Sequence, residues 1–301
     1  MLAAPIIHAR TKYYDFPSGL LVIPDNFTSQ DAQWARSYIT QSTRYMEMMG
    51  TAGRRVVFSN ASVVVSGLSI RIEDLYNLCG KSPQYSRVDG NRVNYAFIGL
   101  VIPKSQITTT FDIPYSVFLE QYETYMQILW EMPPSESSIT TTKVVYSQFR
   151  LPQAQASCEL PRLENEKMRI VLDTNDFPLE SICAQVALMA QEGTLGFCSD
   201  VPNATSVTDS NFSIVTSKYP QQIIAALERE AAKSTAYQPQ DTRKFNPFFK
   251  FIRKDASTQA QVVLNQVAAE VKKTWKAIPK VIKVGSLLIV VLSSLANKKS
   301  D

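Results

Sequence analysis

Basic and aromatic side chains alternate in the segment RKFNPFFKFIRK, residues 243–254, where five Lys and Arg stand among four phenylalanines. Phenylalanine rings can settle at the depth of lipid head groups while the cations bind their phosphates. The same mixture can stack on bases and neutralise a nucleic-acid backbone. A connector with buried rings and solvated charges is the third interpretation. The pattern favours an anionic membrane surface over nucleic acid and leaves the connector open.

A helical pattern follows from about residue 258 to 278, and four of its apolar residues recur at every fourth position. They are Val263, Val267, Val271 and Trp275. Lysines gather at the end of this segment, where the helix dipole favours cations. A basic amphipathic helix can lie in a membrane surface, dock on a partner helix or pack on its own domain.

Residues 284–297 form a run of fourteen without a charge, rich in Val, Leu and Ile. As a helix this run would rise about 21 Å, whereas the hydrocarbon core of a bilayer is about 30 Å thick. A full membrane span is therefore disfavoured. An embedded hairpin, an interfacial helix or a buried contact in an oligomer fits this length better.

These segments supply the residues predicted to bind a partner. Those predicted to contact an anionic surface are Arg243, Lys244, Lys250, Arg253, Lys254, Lys272, Lys273, Lys276 and Lys280. Those predicted to insert into a membrane or a partner are Phe248, Phe249, Trp275, Leu287, Leu288, Ile289, Leu292 and Leu295.

The charge distribution supports this prediction. From residue 240 onward there are 12 Lys and Arg against 4 Asp and Glu, a net charge of +8. The whole chain has a net charge of +4, so the first 239 residues carry −4. Such an asymmetry is typical of a chain whose basic end binds an anionic partner.

Residues able to do chemistry are scarce in the rest of the chain. No phosphate-binding loop, dinucleotide fingerprint or metalloprotease motif is present. His8 is the only histidine, so a Ser-His or Cys-His nucleophile pair is disfavoured. Asp173 and Asp176 follow a predicted strand, where acid–base or metal-binding residues can sit, but Asp176 also suits a helix N-cap. We therefore expect no enzyme activity, no metal, no cofactor and no small-molecule substrate.

The cysteines and the first residues bear on location. Cys79, Cys158, Cys183 and Cys198 include no C-x-x-C pair, which favours free thiols in a reducing compartment. The opening residues have a short apolar run interrupted by Pro5, unlike a signal peptide. The expected location is the cytoplasm, a peripheral membrane site or, for a viral protein, the virion.

Helix and strand patterns alternate through the body of the chain. Helices are predicted over 28–50, with a capping box from Thr28 to Asp31, over 114–132, from about 177 to 193, and over 219–233. Strands are predicted within 54–72, in a hairpin over 85–102 that turns at Asp89-Gly90, within 137–151 and within 167–172. Residues 199–213 are predicted to be loop, and the stretch before His8 a mobile terminus.

The expected fold class is α+β, with a mixed or antiparallel-rich sheet, packed helices and a helical, basic C-terminal arm. The predicted domains are a body over 1–233, with a possible subdivision near 152–166, a basic and aromatic linker over 234–256, and the arm over 257–301.

The sequence predicts a non-enzymatic structural or assembly protein whose arm engages a membrane surface or neighbouring subunits. A homo-oligomer or a multi-subunit assembly is expected, and a matrix-like or capsid-like subunit of a virus would fit the composition. The alternatives are a nucleic-acid-coating protein that uses the same arm and, less favoured, an enzyme that depends on carboxylates and a metal.

Overall fold

The computed structural model describes residues 1–12, 19–132, 141–154, 160, 163, 169–175, 178–208, 210–236 and 249–252. At residues 89, 230–236 and 249–252 it describes the backbone alone. These residues all belong to one compact unit, Met1–Ile252. The predicted arm over 257–301 lies outside the described residues.

The described part contains thirteen strands and six α-helices. The strands are β1 Leu2–Ala9, β2 Val22–Pro24, β3 Arg54–Ser59, β4 Val63–Arg71, β5 Arg87–Val88, β6 Arg92–Val93, β7 Tyr95–Pro103, β8 Thr142–Val144, β9 Ser147–Gln148, β10 Arg169–Asp173, β11 Gly196–Cys198, β12 Ile214–Ser217 and β13 Phe249–Ile252. The helices are α1 Ser29–Ser42, α2 Ile72–Leu78, α3 Tyr115–Leu129, α4 Leu179–Glu192, α5 Thr205–Thr208 and α6 Pro220–Ala236.

Eleven strands form one mixed sheet in the order β13-β10-β12-β11-β3-β4-β7-β1-β2-β8, and β9 pairs with the free end of β1. The centre, from β11 through β3, β4, β7 and β1 to β2, is antiparallel. Strands β11, β12, β10 and β13 run parallel to one another. The predicted α+β class with a mixed sheet is confirmed.

The sheet is buried on both faces because its strands are apolar at consecutive positions, as the sequence of β7 predicted. Val56 and Val57 illustrate this, since they point to opposite faces and each belongs to a different core. Helices α2, α3 and α4 pack on the face of Val57. Helices α1 and α6 pack on the face of Val56.

Helix α1 begins as predicted and ends early. The Thr28 and Asp31 side chains form the complete capping box. The helix stops at Ser42, not at Gly50, and Tyr45 takes a left-handed conformation with φ 53° and a 37% exposed side chain. The predicted helix over 28–50 is therefore too long, and Tyr45 lies outside α1. The Tyr38 ring does stack on Phe58 of β3, with centroids 4.7 Å apart.

Three other local predictions are corrected by tertiary contacts. Helix α4 has Pro178, not Asp176, as its N-cap residue. The stretch before His8 is strand β1, and His8 is only 5% exposed between β7 and β2. Residues 199–213, predicted as loop, contain the short helix α5.

The predicted hairpin over 85–102 is present as the pair β5 and β6. The next strand, β7, belongs to the main sheet.

Glycines on β4 and β7 make room for one phenylalanine ring. Gly67 pairs with Gly99, and a Cβ built on Gly67 would lie 2.3 Å from Cζ of Phe97. The buried Phe97 ring cannot withdraw, because its core is packed on all sides.

We expect Gly67→Ala to lower the free energy of unfolding by about 1–3 kcal/mol through overpacking. Urea denaturation followed by circular dichroism measures this loss. Gly80→Ala is not a suitable control, since Gly80 has φ 66°. Gly193→Ala is suitable, because its Cβ would meet no atom within 4 Å. Equal stabilities of wild type and Gly67→Ala would show that the Phe97 ring does not exclude a Cβ at position 67.

Candidate functional site

Two of the seventeen residues predicted to bind a partner lie in the described part. Phe249 and Lys250 belong to β13, where they pair with Arg169 and Ile170 of β10. The predicted linker over 234–256 thus contains the end of α6 and an edge strand of the sheet. The other fifteen predicted residues lie outside the described residues.

The carboxylate predicted as a metal or acid–base group has a local role. Asp173 ends β10, and its Oδ1 accepts hydrogen bonds from the backbone N and from Nδ2 of Asn175, both at 2.9 Å. Its partner in that hypothesis, Asp176, lies outside the described residues. Within the described ranges, no group of three or more His, Cys, Asp and Glu side chains is placed to hold a metal ion.

The parallel strands β10, β11 and β12 end at one edge of the sheet. After β10 the chain passes to α4 on one face of the sheet, and after the adjacent β12 it passes to α6 on the other. Open α/β sheets bind ligands where the connections after two neighbouring strands pass to opposite faces of the sheet. Strand β3 begins at the same edge, because it runs antiparallel to β11. We therefore take this edge as the candidate site.

Arg54, the first residue of β3, is 2% exposed and lies on the face of α1. It links the end of α1 to Asp200, which follows β11. Its guanidinium donates hydrogen bonds to the carbonyl oxygens of Ser42, Arg44 and Tyr45 at the end of α1, and to that of Asp200 after β11. A cation at the carboxyl end of a helix is favourable, since the helix dipole is negative there. Arg54 is therefore a structural cap.

Two residues bonded to Arg54 carry backbone strain. Tyr45 has φ 53° and Asp200 has φ 51°, values that residues with a Cβ rarely adopt. The Asp200 carboxylate lies 3.8 Å from Nζ of Lys218, which is more than half exposed. At that distance and exposure the ion pair adds little stability. The ammonium group of Lys218 is thus exposed to solvent at this edge of the sheet.

Arg55 points to the opposite face of the sheet, where its guanidinium contacts a carbonyl oxygen and two aromatic rings. It is 7% exposed, and Nη1 donates one hydrogen bond to the carbonyl oxygen of Ile113 at 2.6 Å. Its Cζ lies 4.6 Å from the ring centroid of Tyr115 and 5.0 Å from that of Phe118. No carboxylate of the described residues forms an ion pair with it.

The surroundings of Arg55 include the first turns of two helices. Burial raises the pKa of Tyr115 in α3, Arg55 acts to lower it through its charge and a side-chain hydrogen bond, and Glu180 and Cys183 of α4 act to raise it. Tyr115 also donates a hydrogen bond from its hydroxyl to the carbonyl oxygen of Ala52. The start of α3 therefore contacts the buried arginine at this edge, and the start of α4 lies close enough to act on Tyr115.

Sequence reasoning missed both arginines. The segment RRVVFS lies in the strands predicted within 54–72, and no role was predicted for Arg54 or Arg55. One signal was present: the strand is apolar on both faces, so neither arginine had a solvent-facing side available.

No protein-family model, curated protein or solved structure matches this chain.

The thiol of Cys198 at this edge is expected to be inert. Burial raises its pKa to about 12, an effect that Arg54 opposes and Asp200 reinforces. The thiolate is the reactive form, so its fraction at pH 8 falls on the order of a thousandfold below that of an ordinary thiol. Alkylation with iodoacetamide, quantified for each peptide by mass spectrometry, should find Cys198 unlabelled in native protein and labelled in urea. Equal labelling in both states would contradict this burial.

Proposed function

We propose that this chain is a non-enzymatic structural or assembly protein whose basic, apolar C-terminal arm binds an anionic membrane surface. The observation that carries the proposal is the division of charge at the end of the folded unit. Residues 253–301 contain nine Lys and Arg against three Asp and Glu, a net charge of +6. Residues 1–252 therefore carry −2 out of the total of +4.

Charge and apolar surface act together in this arm. Each Lys or Arg near an anionic leaflet contributes about 1 kcal/mol of attraction, and the uncharged run over 284–297 supplies residues for insertion. No helix in the described ranges is long and apolar enough to cross a membrane. The proposal accordingly assigns membrane contact to the arm and leaves the sheet and its helices as the folded body, which associates with further copies or other subunits.

Flotation of the full chain with vesicles tests the proposal. We expect co-flotation with vesicles that contain phosphatidylserine, and much weaker flotation with phosphatidylcholine alone. Binding that persists as salt is raised indicates apolar insertion, because surface charges are screened at high ionic strength.

The nucleic-acid alternative gives a different result in the same series. Filter binding to a polynucleotide would then be stronger than vesicle binding and would fall steeply with salt concentration, as release of counterions requires. That outcome would replace the membrane by nucleic acid as the partner of the arm. Binding to neither would contradict the proposal.

A further inference from the structure

Exposed apolar and aromatic side chains gather at the edge where the parallel strands end. Seven large side chains of this kind are exposed in the described part of the chain, and three of them lie here. They are Tyr45, Met48 and Tyr219, with exposed fractions of 37%, 56% and 58%. Single exposed apolar residues are ordinary, whereas a group of them marks an interaction surface. We call these three side chains the edge patch.

Contacts at the edge bring the two chain segments of the edge patch together. Tyr45 and Met48 follow α1, and the carbonyl oxygen of Tyr45 accepts a hydrogen bond from the backbone N of Met48. A Cβ built on Gly50 would lie 3.7 Å from Nζ of Lys218, the residue before Tyr219. The segment after α1 and the segment before α6 therefore lie side by side.

The backbone at Tyr45 supports a role outside the fold. Its φ of 53° lies in the left-handed region, which is unfavourable for a residue with a Cβ and is most readily taken by Gly or Asn. The Tyr45 ring belongs to neither of the two cores of the described residues. Strain of this kind clusters at functional sites.

The C-terminal arm is joined to the body at the same edge. Strand β13 runs parallel to β10, and its last residue, Ile252, pairs with Leu172, one residue before the end of β10. The next two residues are Arg253 and Lys254, both predicted to contact an anionic surface. They lie within about 7 Å of Ile252 along the chain. A membrane that binds Arg253 and Lys254 is therefore close to this edge.

The charges beside the edge patch decide how it can bind. Arg44 and Lys218 are exposed cations, whereas Glu47 is an exposed anion and the Asp200 carboxylate pairs with Lys218. These charges balance, so they do not attract an anionic surface. Tyrosine enters the head-group region with its ring in apolar surroundings and its hydroxyl in water. The edge patch thus supplies apolar contact, and the attraction comes from the arm.

We propose that the edge patch is a second membrane contact, through which the body lies on the anionic bilayer that the arm binds. This inference rests on the proposed function and adds to it the orientation of the body. The arm holds the neutral patch beside the bilayer at high local concentration, so a contact too weak to bind alone still adds affinity. A second copy of the chain would suit the same side chains, but the origin of the arm at this edge favours lipid.

A full-length variant that carries Tyr45→Asn, Met48→Gln and Tyr219→Gln tests the edge patch. Asparagine tolerates left-handed backbone and all three positions are exposed, so the urea midpoint should match that of wild type. We expect the affinity for phosphatidylserine vesicles to fall about tenfold, and about threefold for Tyr219→Gln alone. The loss should be the same at low and high salt, because apolar contact is not screened.

Val145→Gln is the matched control. Val145 is 70% exposed, more than any residue of the edge patch. It follows β8, which runs in the same direction as β3 and therefore ends at the opposite edge of the sheet. This variant should bind vesicles as wild type does.

The outcomes separate this proposal from that for the arm. Unchanged affinity in the patch variants, or an equal loss in Val145→Gln, would overturn the edge patch alone, and a wild type that binds no vesicles would overturn both proposals. If substitutions in the arm leave binding unchanged while the patch variants lose it, the role of the arm fails and the edge patch stands. A wild type that sediments as a dimer without vesicles, and as a monomer once the patch is changed, would assign the patch to a second copy and refute lipid as its occupant.

Discussion

Deletion of residues 257–301 is expected to abolish flotation with phosphatidylserine vesicles while the body stays folded. The deleted segment contains seven lysines against one Glu and one Asp, together with the whole uncharged run. With about 1 kcal/mol for each net positive charge near an anionic surface, the affinity should fall on the order of a thousandfold or more. Sedimentation of the vesicles at several lipid concentrations measures the change.

The first deleted residue is chosen to lie beyond β13, the edge strand that pairs with β10. Strand β13 covers the outer edge of β10, so a truncation at residue 233 would expose a row of unpaired backbone groups. Truncation after residue 256 leaves β13 in place. The circular dichroism spectrum and the urea midpoint should therefore match those of the full chain. A truncated chain that still floats would refute the assignment of membrane binding to the arm, and one that unfolds would make the arm part of the core.

Substitutions within the arm separate its two contributions. Replacing Lys272, Lys273 and Lys276 by Gln should weaken binding most at low salt, because it removes attraction that salt screens. Replacing Leu288 and Leu292 by Ser should weaken binding most at high salt, where insertion dominates. Identical salt profiles for the two variants would argue against a two-part mode of binding.

Arg54→Met is expected to lower the free energy of unfolding by about 3–5 kcal/mol, among the largest effects of a single substitution. The variant leaves the buried carbonyl oxygen of Ser42 and the partly buried carbonyl oxygens of Arg44, Tyr45 and Asp200 without their donor. It also removes the bond that joins the end of α1 to the strained residue after β11. Urea denaturation measures the loss.

Two variants serve as controls for Arg54→Met. Arg36→Met, on the exposed side of α1, should change stability by less than about 0.5 kcal/mol. Arg54→Lys keeps the charge but reaches fewer of the four oxygens, so an intermediate loss is expected. A loss below about 1 kcal/mol for Arg54→Met would show that water replaces the guanidinium without cost and that the cap is dispensable.

The sequence by itself determined the elements whose signals are local. The capping box of α1, helix α3 and the apolar strands β3, β4 and β7 were recognised because caps, helical periodicity and β-branched runs act within a few residues. The division of charge along the chain, on which the proposed membrane contact rests, is also a property of the sequence alone.

Tertiary structure decided what depends on distant partners. Strand β1 carries a proline and an isolated histidine, and it became a strand because β7 offers a ladder from Ala4 to Ala9. Strands β11 and β12 are three and four residues long, too short for a periodic signal. Adjacent arginines in RRVVFS are alike in sequence. Only the placement of α1 on one face and α3 on the other made Arg54 a cap and Arg55 a cation without an acidic partner, because alternation along a strand sends neighbours to opposite sides of the sheet.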